Sequence, residues 1–158
     1  MIQRIQTLYL LLATVLMSLT LFLPLATITP KGGEELVLRA YTIDNVPTGE
    51  IGSDLQIYLI CLCCLLALPT LMSFVIIFLY KNRLLQIRLC VSEIVLLVGA
   101  LAFIGIYCYR LYDIIAVDAV FTLGFTSLMP IFAIVFVALA IRGIAKDEAL
   151  VRSLDRIR

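Results

Sequence analysis

The sequence predicts an all-α membrane protein: an up-down antiparallel four-helix transmembrane bundle with a small outer β-hairpin between helices 1 and 2. Three observations predict it. Four apolar runs, residues 8–28, 57–80, 89–109 and 121–141, are each long enough for an α-helix to cross a hydrocarbon core of about 30 Å. The chain of 158 residues is 63% hydrophobic and 15% charged, where soluble domains run near about 45–50% and about 25%. The links between runs are short, which makes consecutive helices antiparallel neighbours. In lipid only helices and closed barrels satisfy every backbone N–H and C=O, and runs of this length are helical. One integral membrane domain, 1–158, is expected. Its spans fall at about 5–26, 55–80, 86–109 and 120–142, with an outer loop at 27–54 and a tail at 143–158.

Taken in order, helix 1 opens almost at the N-terminus. No small-x-small cleavage site follows it in 23–27 (LPLAT), so it reads as a retained signal anchor. Pro24 marks its outer end. Residues 27–30 and 35–43 read as two short strands around Lys31-Gly32-Gly33-Glu34, because Gly-Gly suits a two-residue hairpin turn. A lone hairpin is marginal in water, so this one should lean on the helices. Ser53 and Gln56 have capping-box spacing at the start of helix 2. Pro69 predicts a kink in that helix. Lys81-Asn82-Arg83 is a tight inner turn, helix 3 follows, and Pro130 falls inside helix 4. In the tail, Ile144, Val151, Leu154 and Ile157 recur at helical spacing among charged residues, which predicts an amphipathic cytoplasmic helix, either continuous with helix 4 or separate from it.

Charge sets the expected orientation. Arg4, Lys81, Arg83, Arg88, Arg142, Lys146, Arg152, Arg156 and Arg158 fall at one end of the bundle; Lys31, Arg39 and Arg110 fall at the other. The excess places both termini in the cytoplasm. Tryptophan is absent, so tyrosines near the span ends must supply the interfacial belt.

The same composition removes several function classes. A net charge of +1 offers nucleic acid nothing, and the expected partners are the lipid bilayer and a membrane protein or a second copy of the chain. Histidine, the commonest metal ligand and neutral-pH base, is absent. No nucleotide-binding glycine loop, nucleophile elbow or zinc motif occurs, so no catalytic residue, cofactor or metal is expected. Glu93 is the one ionisable group well inside a span, and an intramembrane acid is costly. Its favoured role is an ion pair with Arg4 or Arg142; a proton or ion relay in a small oligomeric transporter or channel is the second. Cys61 and Cys64 form C-x-x-C near the outer end of helix 2, with Cys108 at similar depth on helix 3. That raises a membrane thiol oxidoreductase, although cysteine in an apolar helix ordinarily serves as a small hydrophobe.

Three segments together carry a resemblance: 1–7 (MIQRIQT), 82–89 (NRLLQIRL) and 142–158 (RGIAKDEALVRSLDRIR). The chain resembles a four-span inner-membrane protein family of Gram-negative bacteria whose shared region is a domain of unknown function. The resemblance implies the same topology and compartment and brings no activity, ligand or catalytic residue. All three segments fall on the expected cytoplasmic side. With Arg4, Gln6, Gln86 and Arg142 nearby, Arg83, Arg88, Lys146, Asp147, Glu148, Arg152, Asp155 and Arg156 form the candidate interaction surface. The expected function is a non-enzymatic accessory or assembly subunit of an envelope complex.

Overall fold

In the computed structural model, residues 3–30, 35–44, 53–80, 82–115 and 119–155 are described. Four helices dominate: α1 (Gln3–Phe22), α2 (Ser53–Phe78), α3 (Arg83–Ile115) and α4 (Met129–Asp155). All four are long and apolar enough to cross a membrane. Each packs chiefly on two neighbours, in the cyclic order α1-α2-α3-α4 and back to α1. This is the expected up-down bundle.

The seams of the bundle follow a seven-residue rule. Buried positions step by four and three: 6, 10, 13, 17 and 20 on α1; 59, 62, 66, 69, 73 and 76 on α2; 86, 90, 93, 97, 100, 104, 107 and 111 on α3; 130, 133, 137, 140, 144 and 147 on α4. A 3.5-residue repeat is the pattern of knobs-into-holes packing, with a left-handed sense. Lipid supplies no hydrophobic drive between helices, so close backbone approach through small residues matters more. Ala13, Ala100, Ala133 and Ala140 are fully buried on these seams. The opposite faces carry exposed Leu, Val, Ile and Phe along their length, a surface suited to acyl chains.

The end of the bundle away from the termini carries a four-stranded antiparallel sheet of order β3-β2-β1-β4: β1 (Ala26–Pro30), β2 (Leu36–Leu38), β3 (Ile43–Asp44) and β4 (Ala119–Leu123). The expected β1–β2 pairing is present; the Gly-Gly turn lies outside the described residues. Two strands were not expected. β4 pairs with β1 over five positions, from Ala26↔Leu123 to Pro30↔Ala119. The apolar run of helix 4 therefore does not start as a helix at residue 120. β1 has a free edge, and the β-branched and aromatic residues of 120–122 satisfy it. Gly124 then lets the chain cross: its N–H donates to the Leu25 carbonyl at 2.8 Å, and an added Cβ would lie 2.8 Å from that oxygen. A short 3₁₀ turn (Phe125–Leu128) follows, and Ser127 Oγ donates to the same Leu25 carbonyl at 2.6 Å. Pro130 sits in the first turn of α4, where its missing N–H costs nothing, and so does not interrupt the span.

Two further boundaries differ from expectation. α1 stops at Phe22, because Pro24 turns the chain into β1. α3 runs 33 residues, about 50 Å, well past the bilayer core. The amphipathic tail is helical, as expected, and continues α4 without a break. At the sheet, Arg39 Nε donates to Asp44 Oδ2 at 2.9 Å, which raises the guanidinium pKa above its ordinary value. Arg39 Nη1 reaches the Phe22 carbonyl at 3.4 Å, tying sheet to bundle. The Ser53 capping side chain lies outside the described residues.

Candidate functional site

The seam positions divide the bundle into two halves. Towards the sheet they are mostly apolar: Met17, Leu62, Leu66, Leu97, Ile104 and Val137 are buried and close the core. Towards the termini each helix places a polar side chain on its seam. These are Gln6 on α1, Ser73 on α2, Gln86 and Glu93 on α3, and Asp147 on α4, each buried.

Their contacts form two layers. Near the terminal end, Gln6 Nε2 donates to Asp147 Oδ2 at 2.8 Å, joining α1 to α4. Gly143, one turn before Asp147, makes room: an added Cβ would lie 2.9 Å from Gln6 Cγ. Arg83 Nη1 donates to the Asp147 backbone carbonyl at 3.1 Å, and Gln86 Nε2 to the Ile76 carbonyl at 3.3 Å. Deeper lies Glu93, ten residues and about 15 Å along α3 from Arg83. It is 0% exposed. Side chains on a helix tilt towards its N-terminus, so Glu93 reaches back towards the terminal end and meets Ser73. Ser73 Oγ hydrogen bonds Glu93 Oε1, and Glu93 Oε2 has no partner among the described residues.

Among the described residues Glu93 is partnered by Ser73, and the expected pairing with Arg142 is not formed. Arg142 is exposed on α4, and no salt bridge reaches Glu93 among the described residues. The physical reason is phase. Glu93 shares the seven-residue seam that faces Ser73, whereas Arg142 lies two residues from the seam position Ala140. The side chain of Arg4 lies outside the described residues.

The expected interaction surface is partly altered. Asp147 is withdrawn from it, 7% exposed and bonded to Gln6, because it occupies a seam position. Arg88 and Lys146 are exposed, and Arg83 and Glu148 are half-buried. The side chains of Arg152 and Asp155, and all of Arg156, lie outside the described residues. Asn82, Arg83, Leu84, Leu85, Arg88, Glu148 and Val151 line a groove of about 570 Å³ between the start of α3 and the end of α4.

The cysteines separate. Cys61 and Cys64 lie on the exposed face of α2, and Cys108 is buried on α3. Cys63 and Cys64 line a second groove, about 440 Å³, beneath Tyr41, Thr42 and Ile43 at the sheet. No group of metal-ligating side chains occurs among the described residues. Ser73 escaped the sequence reading because a serine in an apolar helix ordinarily bonds its own backbone. Its seven-residue spacing from Leu66, matching that of Glu93 from Gln86, is the signal that finds it.

Four apolar spans, a polar half-core and a small sheet at one end define a multi-pass membrane protein of the four-helix-bundle class. The chain belongs to the family of the domain of unknown function DUF4293, whose model matches residues 2–157. No curated protein matches it.

Proposed function

We propose that the chain is a non-enzymatic accessory or assembly subunit of an envelope complex in a bacterial inner membrane, with both termini in the cytoplasm. The observation that carries this reading is the groove at the terminal end. Leu84, Leu85 and Val151 give its lining an apolar part, beside Arg83, Arg88 and Glu148. That combination fits the amphipathic helix of a membrane-protein partner with an acidic edge, docked where the bundle meets the headgroups. The excess of basic residues at this end supports a cytoplasmic placement. The packed, mostly apolar sheet half supports a binding role for the single chain over a conducting one.

The test is purification of tagged protein at native level in mild detergent, with mass spectrometry of what accompanies it. A stoichiometric membrane partner should appear with the wild type and be lost with Arg88→Glu, while the melting temperature holds. A protein that emerges alone sinks the docking role. A second reading, a small oligomeric transporter, draws on one observation: Glu93 is buried with a serine and, among the described residues, no cation. On that reading Glu93→Gln abolishes flux in proteoliposomes.

A further inference from the structure

The geometry points to Glu93 and Ser73 as a buried proton-binding site that exchanges with the compartment on the side of the termini. It is compatible with either functional reading, because a proton site can regulate a subunit as readily as it drives a carrier.

Three observations carry it. First, Glu93 is 0% exposed, and one carboxyl oxygen has no hydrogen-bond partner. Such a group at membrane depth is expensive to keep and is retained for a use. Second, its one partner fits both protonation states. A serine hydroxyl both donates and accepts. Facing a carboxylate, Ser73 donates to Oε1; facing the acid, it accepts the O–H. Binding is then a plain proton transfer: an O–H bond forms on the carboxyl, its charge disappears, and no electron moves. Third, the surroundings select a proton. A metal ion needs several oxygen ligands, and one carboxyl with one hydroxyl falls short.

The route is one-sided. Gln86 lies one heptad nearer the termini on α3, about 10 Å away, and Gln6 and Asp147 lie at the terminal end. In the other direction Leu66, Leu97 and Val137 close the seam. The titratable and charged neighbours are few. On α3 they are buried Cys90 and exposed Arg88; on α4, buried Asp147 with exposed Arg142 and Lys146. In this half the described seam side chains of α1 and α2 are neutral, with Gln6 and Ser73 the polar ones.

Dicyclohexylcarbodiimide tests the site, because it converts a protonated carboxyl in apolar surroundings into a stable N-acylurea. The probe is added to wild type, Glu93→Gln and Ser73→Ala in proteoliposomes oriented by an N-terminal tag, with pH set separately on each side. Mass spectrometry reads the adduct. A Glu93 adduct is expected that falls about tenfold per pH unit above its midpoint. It should follow pH on the side of the termini and vanish in Glu93→Gln. Ser73→Ala should move the midpoint while leaving the adduct on Glu93; if Glu93→Gln fails to fold, this shift and the wild-type profile decide. No adduct at any pH in folded wild type, or an adduct that follows pH on the sheet side, overturns the site.

Discussion

Ser73→Ala separates a structural from a functional reason for the buried carboxyl. The substitution removes one oxygen atom and leaves packing almost unchanged. Glu93 Oε2 already lacks a partner, so loss of Ser73 strips both carboxyl oxygens at a fully buried position. Interhelical hydrogen bonds in membranes average about 0.6 kcal/mol and reach about 1.7. Leaving a buried polar group unsatisfied costs about 1–3 kcal/mol. The absence of an alternative partner among the described residues puts this case in the overlap, a loss of about 1–1.7 kcal/mol. Glu93→Met should behave oppositely. It replaces a half-satisfied polar group with an apolar side chain of similar volume, a change that is often neutral or stabilising. On that background Ser73→Ala should cost almost nothing, giving a coupling of at least about 1 kcal/mol. Reversible unfolding in bicelles measures all corners of the cycle. An equal cost of Ser73→Ala on both backgrounds would refute the contact. A loss of several kcal/mol for Glu93→Met would show that the carboxyl holds the bundle together and remove the reason to look for a further role.

Two other substitutions test the joints that frame this core. Gly124→Ala places a Cβ 2.8 Å from the Leu25 oxygen and 2.9 Å from the Pro24 oxygen, both backbone atoms that cannot swing aside. It should cost about 1–3 kcal/mol and speed amide exchange along the β1–β4 ladder; unchanged exchange would deny the crossing at Leu25. Gln6→Ala leaves Asp147 Oδ2 buried without its donor, and a loss of about 1–2 kcal/mol is expected in the same unfolding assay. A loss below about 0.5 kcal/mol would mean that α1 and α4 are not joined there.

The spans were legible because lipid leaves a chain few options: some twenty apolar residues in a row cross as a helix. The β1–β2 hairpin was legible from two short strand-like stretches either side of Gly32 and Gly33. β4 was not, since Val120, Phe121 and Leu123 look the same in a strand as at the start of an apolar helix. Only a free β1 edge decides between them, and a partner 95 residues away leaves no local mark. Thr27 and Thr122, whose hydroxyls meet across that pair, show how non-local the choice is. Glu93 was legible as an oddity but its partner was not. Opposite charge favours arginine when residues are read one by one; phase along the helix favours Ser73. The same phase argument shows why Asp147, placed by composition on a charged surface, is buried beneath it.

The most direct test of the docking role is a photo-crosslinking residue at Leu85, inside the groove between α3 and α4, in the native membrane. Leu71, exposed on the apolar face of α2, is the control position. The Leu85 position should yield one adduct of fixed mass with a different membrane protein, and Leu71 should not. Adducts at Leu85 with lipid alone, or only with a second copy of the chain, would contradict a subunit role.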